Sequence, residues 1–247
     1  MTGFIVGVTG VGGGALMTPM LLLVFGIAPH VAVGTDLWYA ALTKVAASGV
    51  YIRHGLIDWA VVMRLWAGSL PASAATVWWM RSTTISGIEW MRGAIAVMVC
   101  ITAVGMLFSG QLHAVGFRFA DRLRPWQAPM TVVLGAVLGA VVTLTSVGAG
   151  ALGAVCLLYL YPRRLATGAL VATDIAHAIP LALIAGLGHL TLANVDSRLL
   201  LHLLAGSVPA AVIGARLSAR VPHPRLRRWL AAVLLVVGIR MVVDLVS

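Results

Sequence analysis

Ionisable side chains are rare in the apolar segments of this 247-residue chain, and the few found there are the first candidates for chemistry. Two aspartates follow threonines in such segments, as Thr35-Asp36 and Thr173-Asp174. A carboxylate at this depth is costly and by default indicates a function. Either aspartate could carry a coupling proton, or it could cap the start of a helix. His177, three residues after Asp174, could relay that proton or be hydrogen-bonded in the core.

Two glycine-rich stretches are the second candidate for chemistry. They read GVTGVGGG at residues 7–14 and TLTSVGAG at residues 143–150. Glycine runs are poor helix interiors, so a helix break is expected at each. A broken helix presents free N–H groups and the positive end of its dipole, which suits a small anion. The candidate ligands are Gly12, Gly13, Gly14, Gly148 and Gly150, with hydroxyl groups from Thr9, Thr35, Thr145, Ser146 and Thr173. The alternative is close packing of helices across small residues.

Lys44 is the one lysine of the chain and also lies in an apolar segment. It follows Asp36 by eight residues, which is about 12 Å along a helix, so a direct pair is not expected. Lys44 could be an anion ligand, or its side chain could extend to the membrane interface.

The composition says which elements must position these residues. The chain is 61% hydrophobic and 10% charged, whereas soluble domains are about 45–50% apolar and about 25% charged. No Asp, Glu, Lys or Arg occurs in residues 1–35, 93–117 or 125–162. Segments of this length are expected to cross a bilayer as helices. The fold class is therefore an all-α polytopic membrane protein, and a soluble enzyme or a disulfide-stapled secreted domain is excluded.

An internal repeat organises the chain. Four blocks recur in the same order about 136 to 138 residues apart: VGGGAL with VGAGAL, VGTDLWYA with VATDIAHA, Asp58 with Asp196, and AGSLPA with AGSVPA. This predicts two homologous transmembrane repeats, residues 1–110 and 126–247, joined by a basic linker at 111–125. Each repeat is expected to contain a glycine-broken first block, as a hairpin or re-entrant pair, followed by three transmembrane helices.

The basic residues favour a first block that turns back on itself. Of the basic residues, 14 lie between the apolar segments. In the turned-back arrangement 11 of these 14 fall on one side of the membrane, whereas nine do so if the first block crosses once. Basic residues face the cytoplasm, so the net charge of +10 reflects orientation, and no nucleic-acid partner is expected. The repeats are then inverted in the cytoplasmic membrane, with both termini outside. Inverted repeats are typical of secondary transporters.

Several motifs resemble a known family. They are GVGGGALMTPMLLLVFGIAPHVAVGTDL and HGLIDW in the first repeat, and VGAGALG, LVATDIAHAIPLALIAGLGHLTLANVD and LLAGSVPAAVIGARLSARVP in the second. The chain resembles the TauE/SafE sulfite exporter family, although its second copy has GAG for GxGGG and ATD for GTD. The resemblance implies a transporter, usually an exporter, of sulfite, a sulfonate such as sulfoacetate, or a related organosulfur anion.

The expected partners are that anion and the lipid bilayer, with a homodimer left open. No cofactor or metal is expected, because the seven histidines lack metal-ligand spacing. An enzyme is not expected either. The alternatives are a cation or metal transporter and a membrane-embedded enzyme or assembly factor.

Overall fold

The computed structural model describes residues 14–52, 55–82, 88–148, 150–218 and 224–246, and these residues form helices joined by short connections. Thr9, Gly12 and Gly13 lie outside the described residues. In chain order the helices are α1 (Gly14–Leu23), α2 (Pro29–Ile52), α3 (Trp59–Ser82), α4 (Ile88–Leu107), α5 (Ser109–Arg118), α6 (Ala120–Leu123), a 3₁₀ turn (Arg124–Trp126), α7 (Gln127–Thr145), α8 (Ala151–Leu160), α9 (Thr167–Thr191), α10 (Ser197–Ser218) and α11 (Pro224–Val246).

The helices follow the predicted apolar blocks, which confirms the all-α fold class. Three segments in the described residues are long and apolar enough to cross a membrane: Trp90–Leu107, Ala120–Thr145 and Gly168–Thr191. Helices α2 and α3 have 24 residues each, and each carries two charged residues, whereas α9 has 25 residues and carries one, Asp174. The predicted linker at 111–125 is mostly helical, since it lies within α5, α6 and the 3₁₀ turn. Large apolar side chains such as Trp78 and Val133 are exposed on the outer surface.

Helices α7 and α8 form a hairpin. The side-chain amide of Gln127, the first residue of α7, donates to the carbonyl of Leu160, the last residue of α8, over 2.7 Å. The hydroxyl groups of Thr131 and Tyr161, 2.8 Å apart, join the same two ends. The predicted turn-back of the first block is therefore confirmed for the second repeat. Most of the corresponding stretch in the first repeat lies outside the described residues.

Helices α2 and α9 pack against each other in opposite directions. The indole of Trp38 in α2 donates to the carbonyl of Gly186 in α9 over 3.0 Å. Gly34, near the start of α2, lies against the backbone of Asn194, just after the end of α9. Gly168, near the start of α9, faces Leu56, just after the end of α2. Each helix therefore begins where the other one ends.

Two hydrogen bonds join the repeats reciprocally. The backbone N–H of Asp58, before α3, donates to the Thr173 hydroxyl oxygen in α9 over 3.0 Å. The N–H of Asp196, before α10, donates to the Thr35 hydroxyl oxygen in α2, also over 3.0 Å. Both aspartates cap the helix that follows, through the N–H groups of Val61 and Leu199. The residues that match in the sequence repeat thus make matching contacts across the molecule.

Two ion pairs show that three of the segments connecting helices lie close together, at one end of the helices. Arg164, after α8, pairs with Asp58, after α2, over 2.6 Å. Arg163 pairs over 2.7 Å with Asp121, which follows α5. These connections lie on one side in the turned-back arrangement. A first block that crosses once would instead place the connection after α8 on the opposite side from the connections after α2 and α5.

Candidate functional site

The break between α7 and α8 is the most irregular backbone in the described residues. Ser146, Gly148 and Gly150 have positive φ angles of 56°, 115° and 140°. A non-glycine residue in this conformation is strained by about 1 kcal/mol or more, so Ser146 is held there by its surroundings. The Gly153 and Ala154 N–H groups donate back to the carbonyls of Gly148 and Gly150. The N–H groups of Ala151 and Leu152, which precede them in α8, have no acceptor within the helix.

Asp36 is the first candidate carboxylate, and it lies deep in the molecule. It is the eighth residue of α2 and is fully buried, which rules out the helix-cap alternative. The hydroxyl groups of Thr18 in α1 and Ser146 in the break both donate to its Oδ2 atom, the latter over 2.9 Å. Asp36 therefore links the first repeat to the broken hairpin of the second.

Asp174 is the equivalent carboxylate, and its surroundings differ. It is the eighth residue of α9 and is 1% exposed, so it does not cap a helix either. Neither of its oxygens has a hydrogen-bond partner in the described part of the chain. Its Oδ1 atom lies against Gly153 in the first turn of α8, so closely that a Cβ on Gly153 would be 2.6 Å away.

The sequence repeat is in keeping with this difference. The residue that corresponds to Thr18 in the second repeat is Ala154, and the residue that corresponds to Ser146 in the first is Gly10. Neither residue type has a side-chain hydroxyl, and Gly10 lies outside the described residues. An unpaired buried polar group is costly, and a buried charge more so.

Lys44 and His177 complete the buried cluster. Lys44 is 2% exposed, so its side chain does not extend to the membrane interface, and it interacts electrostatically with Asp36 and Asp174. His177 Nε2 lies 3.0 Å from the Ser69 hydroxyl. His177 and Asp174 are not hydrogen-bonded to each other, because both Asp174 oxygens and His177 Nδ1 lack a partner among the described residues.

The structure also gives the positions of the other predicted ligands. The Thr35 and Thr173 oxygens accept the backbone N–H groups described above, and each hydroxyl keeps its own proton to donate. Thr145 donates to the Val141 carbonyl within α7 over 2.7 Å. Gly14 begins α1. The roles of these residues in binding stay predictions.

The sequence reading missed three residues that the structure adds to the site: Thr18, Ser69 and Gly153. A signal existed for Ser69, since the repeated block AGSxPA carries a serine in both copies, at 69 and 207. Thr18 follows the first glycine run by four residues and Gly153 follows the second by three. Only the folded hairpin brings them to the aspartates.

A family model for "Sulfite exporter TauE/SafE" matches residues 1–241, which include every site residue above. The chain belongs to the TauE/SafE sulfite exporter family. Among TauE/SafE-type relatives, "Probable membrane transporter protein YjnA" of Bacillus subtilis is 34% identical, and the match covers 97% of this chain and 95% of the relative. A second protein of that bacterium, "Probable membrane transporter protein YdhB", is 25% identical over 90% of this chain and 88% of its own length.

A third relative covers less of the chain. A "Probable membrane transporter protein" of Xylella fastidiosa is 34% identical over 45% of this chain and 33% of its own length. No solved structure matches the sequence. Membership of the TauE/SafE family, together with the apolar helices, makes this protein a membrane transporter and assigns a membrane environment to its exposed apolar surface.

Proposed function

We propose that this TauE/SafE protein is a secondary transporter that exports a small sulfur-containing anion, such as sulfite or sulfoacetate, across the cytoplasmic membrane. The observation that carries the proposal is the break between α7 and α8, which lies beside the buried cluster of Asp36, Lys44 and Asp174. The first N–H groups of α8 and its helix dipole favour an anion at this point.

The proposed binding site is built from both repeats. Asp36 in the first repeat accepts a hydrogen bond from Ser146 in the second, and Lys44 interacts electrostatically with carboxylates of both. The substrate ligands we propose are the backbone N–H groups at Gly148 and Gly150 and the ammonium group of Lys44, while the Ser146 hydroxyl, which donates to Asp36, positions the break. Gly12, Gly13 and Gly14, with Thr35 and Thr173, are the further candidates from the sequence.

We also propose that the two repeats, residues 1–110 and 126–247, are inverted and move against each other around this site. Helices α2 and α9 are equivalent in the sequence repeat and run in opposite directions, which supports the proposal. The reciprocal bonds of Asp58 and Asp196 support it as well. Transporters with inverted repeats expose a site at the repeat interface alternately to either side.

The second candidate function is transport of a cation. One specific observation, the buried carboxylates, supports it. Asp36 and Asp174 are both buried beside a single lysine. Oxygen ligands of this kind suit a hard cation. Homodimerisation is a separate proposal that neither function requires.

A counterflow assay distinguishes the two functions. Proteoliposomes that contain the purified protein are loaded with an excess of unlabelled solute, and entry of the radiolabelled solute is followed. Sulfite, sulfoacetate, thiosulfate and a divalent cation are compared. We expect counterflow of at least one sulfur anion and none of the cation. Counterflow of the divalent cation alone would reverse the assignment.

The variant Gly150→Leu tests the position of the site in the same assay. The φ angle of 140° at Gly150 is one that a leucine rarely adopts, so anion counterflow should be lost while membrane insertion is retained. Gly110→Leu is the matched control, because Gly110 has open space around it. Normal counterflow by Gly150→Leu would remove the break from the binding site.

A further inference from the structure

The two equivalent aspartates have unequal surroundings, and among the described residues hydrogen-bond donors reach Asp36 but not Asp174. Asp36 Oδ2 accepts bonds from Thr18 and Ser146. Asp174 is 1% exposed, and neither of its oxygens has a partner in the described part of the chain. An ionised carboxylate in such surroundings depends on a nearby cation, and a proton that binds to it removes its charge and supplies one donor.

The carboxyl group of Asp174 points into the first turn of α8. Its Oδ1 atom occupies the space beside Gly153, where a Cβ would be 2.6 Å away. Gly153 is the third residue of this ten-residue helix, and no side chain among the described residues caps the helix at Gly150. The carboxyl group therefore lies in the space beside the first turn of α8, whose first N–H groups have no acceptor within the helix.

That space cannot hold both an anion and an ionised Asp174 without strong repulsion. The charged and titratable groups on the helices packed against α9 are few. Helix α7 has none, and the others contribute His30, Asp36, Tyr39, Lys44 and Tyr51 from α2, Arg64 and Arg81 from α3, and Cys156 and Tyr159 from α8. Lys44 is the group of these that interacts electrostatically with Asp174, and it also interacts with Asp36. One cation thus faces two carboxylates before any anion arrives.

We propose, on the basis of the transport function above, that a small sulfur oxyanion binds at the N-terminus of α8 together with one proton, and that Asp174 carries this proton. The bound proton comes from solution and forms an O–H bond on the Asp174 carboxylate. This hydroxyl then donates to an oxygen of the anion, while the α8 N–H groups donate to the others. When the anion leaves, the proton returns to solution.

Asp36 does not take this role in the proposal. Its Oδ2 atom already has two hydroxyl donors, which stabilise the ionised form. The ionised Asp36 balances Lys44 and holds Ser146 in its left-handed conformation. Asp36→Asn is therefore compared with Asp174→Asn, because both change an equivalent position and remove the same charge, and Asp121→Asn, at an exposed carboxylate outside the proposed site, is the control.

Calorimetry of anion binding in buffers of different ionisation enthalpy measures the protons taken up. The probe is sulfoacetate, added to the purified full-length protein in detergent near neutral pH, where its own charge is constant. We expect the wild type to take up about one proton per anion, so that affinity falls up to about tenfold for each unit of pH increase. Asp174→Asn should bind sulfoacetate without proton uptake, and the control Asp121→Asn should retain both the binding and the uptake.

Three outcomes would overturn the inference: wild-type binding without proton uptake, persistent uptake in Asp174→Asn, or uptake lost in Asp36→Asn alone. The wild-type pH dependence decides the matter even if a variant fails to fold. Sulfoacetate binding and counterflow without protons would overturn this inference and leave the transport function standing. Failure of the wild type to transport any sulfur anion would overturn both.

Discussion

Asp36 and Asp174 occupy the same position of equivalent helices, and their neighbours make them different groups. The hydroxyl groups of Thr18 and Ser146 donate hydrogen bonds to Asp36. Gly153, which lies against Asp174, has no side chain that could donate one. Residue types alone could not have separated the two, because the distinction depends on which hydroxyl groups the folded hairpin brings within reach. The physical basis is the high cost of a buried carboxylate without donors.

The variant Gly153→Ala tests whether the position of the Asp174 carboxyl matters. The added methyl group would lie 2.6 Å from Oδ1, so the carboxyl must move. Displacement of a functional group by about 1 Å commonly reduces rates by about tenfold to a hundredfold. We expect a reduction of that size in the initial rate of anion counterflow by proteoliposomes.

Gly105→Ala is the control for Gly153→Ala. Gly105 also lies inside a helix, but a Cβ there would meet Val155 at an ordinary contact distance of 3.7 Å. Its counterflow rate should stay close to that of the wild type. Equal rates for both variants would show that the contact between Gly153 and Asp174 has no role in transport.

At the scale of helices, glycine has two separate uses in this protein. Gly148 and Gly150 have positive φ angles and form the break between α7 and α8. Gly68, Gly135 and Gly139 instead let α3 and α7 approach so closely that a Cβ at each would collide with a backbone carbonyl of the other helix. Close packing across glycine is thus observed between α3 and α7, whereas the anion-binding interpretation of the two glycine-rich stretches stays a prediction.

The variants Gly68→Ala and Gly206→Ala test the close packing of α3 on α7. The two glycines are equivalent in the repeated AGSxPA block, but a Cβ on Gly68 would collide with the Val132 carbonyl, whereas Gly206 has no atom within 4 Å. Overpacking costs about 1–3 kcal/mol or more. We expect Gly68→Ala to lower the midpoint of thermal unfolding in detergent by several degrees, and Gly206→Ala to leave it unchanged. A similar midpoint for both would contradict the close approach.

Much of the helix layout could be predicted from the sequence, because apolar length and repeated blocks determine it. The repeated block AGSLPA lies within α3 (Trp59–Ser82), and the apolar stretch at 125–162 divides into α7 and α8 at the glycine run. The caps at Asp58 and Asp196 follow the same local logic. The placement of Thr18 beside Asp36 could not be predicted, since it depends on packing between separate helices.

At the scale of the whole molecule, the charges and the contacts agree on orientation. Arg164 and Arg163 pair with Asp58 and Asp121, so the connections after α2, α5 and α8 lie at one end of the helices. Most of the chain's arginines lie at this end in the turned-back arrangement, which predicts that it is the cytoplasmic end. The opposite end contains the connection between α9 and α10, where Asp196 reaches Thr35.

This orientation gives a labelling prediction for single cysteines on a cysteine-free background. Leu56 and Ala166 are exposed after α2 and α8, whereas Ser82 and Ser197 are exposed at the end of α3 and the start of α10. A membrane-impermeant maleimide added to intact cells should label Ser82→Cys and Ser197→Cys. Inside-out vesicles should be needed to label Leu56→Cys and Ala166→Cys, because the hairpin of α7 and α8 returns the chain to the cytoplasmic side. Labelling of Leu56→Cys and Ala166→Cys from opposite sides would mean that this block crosses the membrane once, and the repeats would then not be inverted.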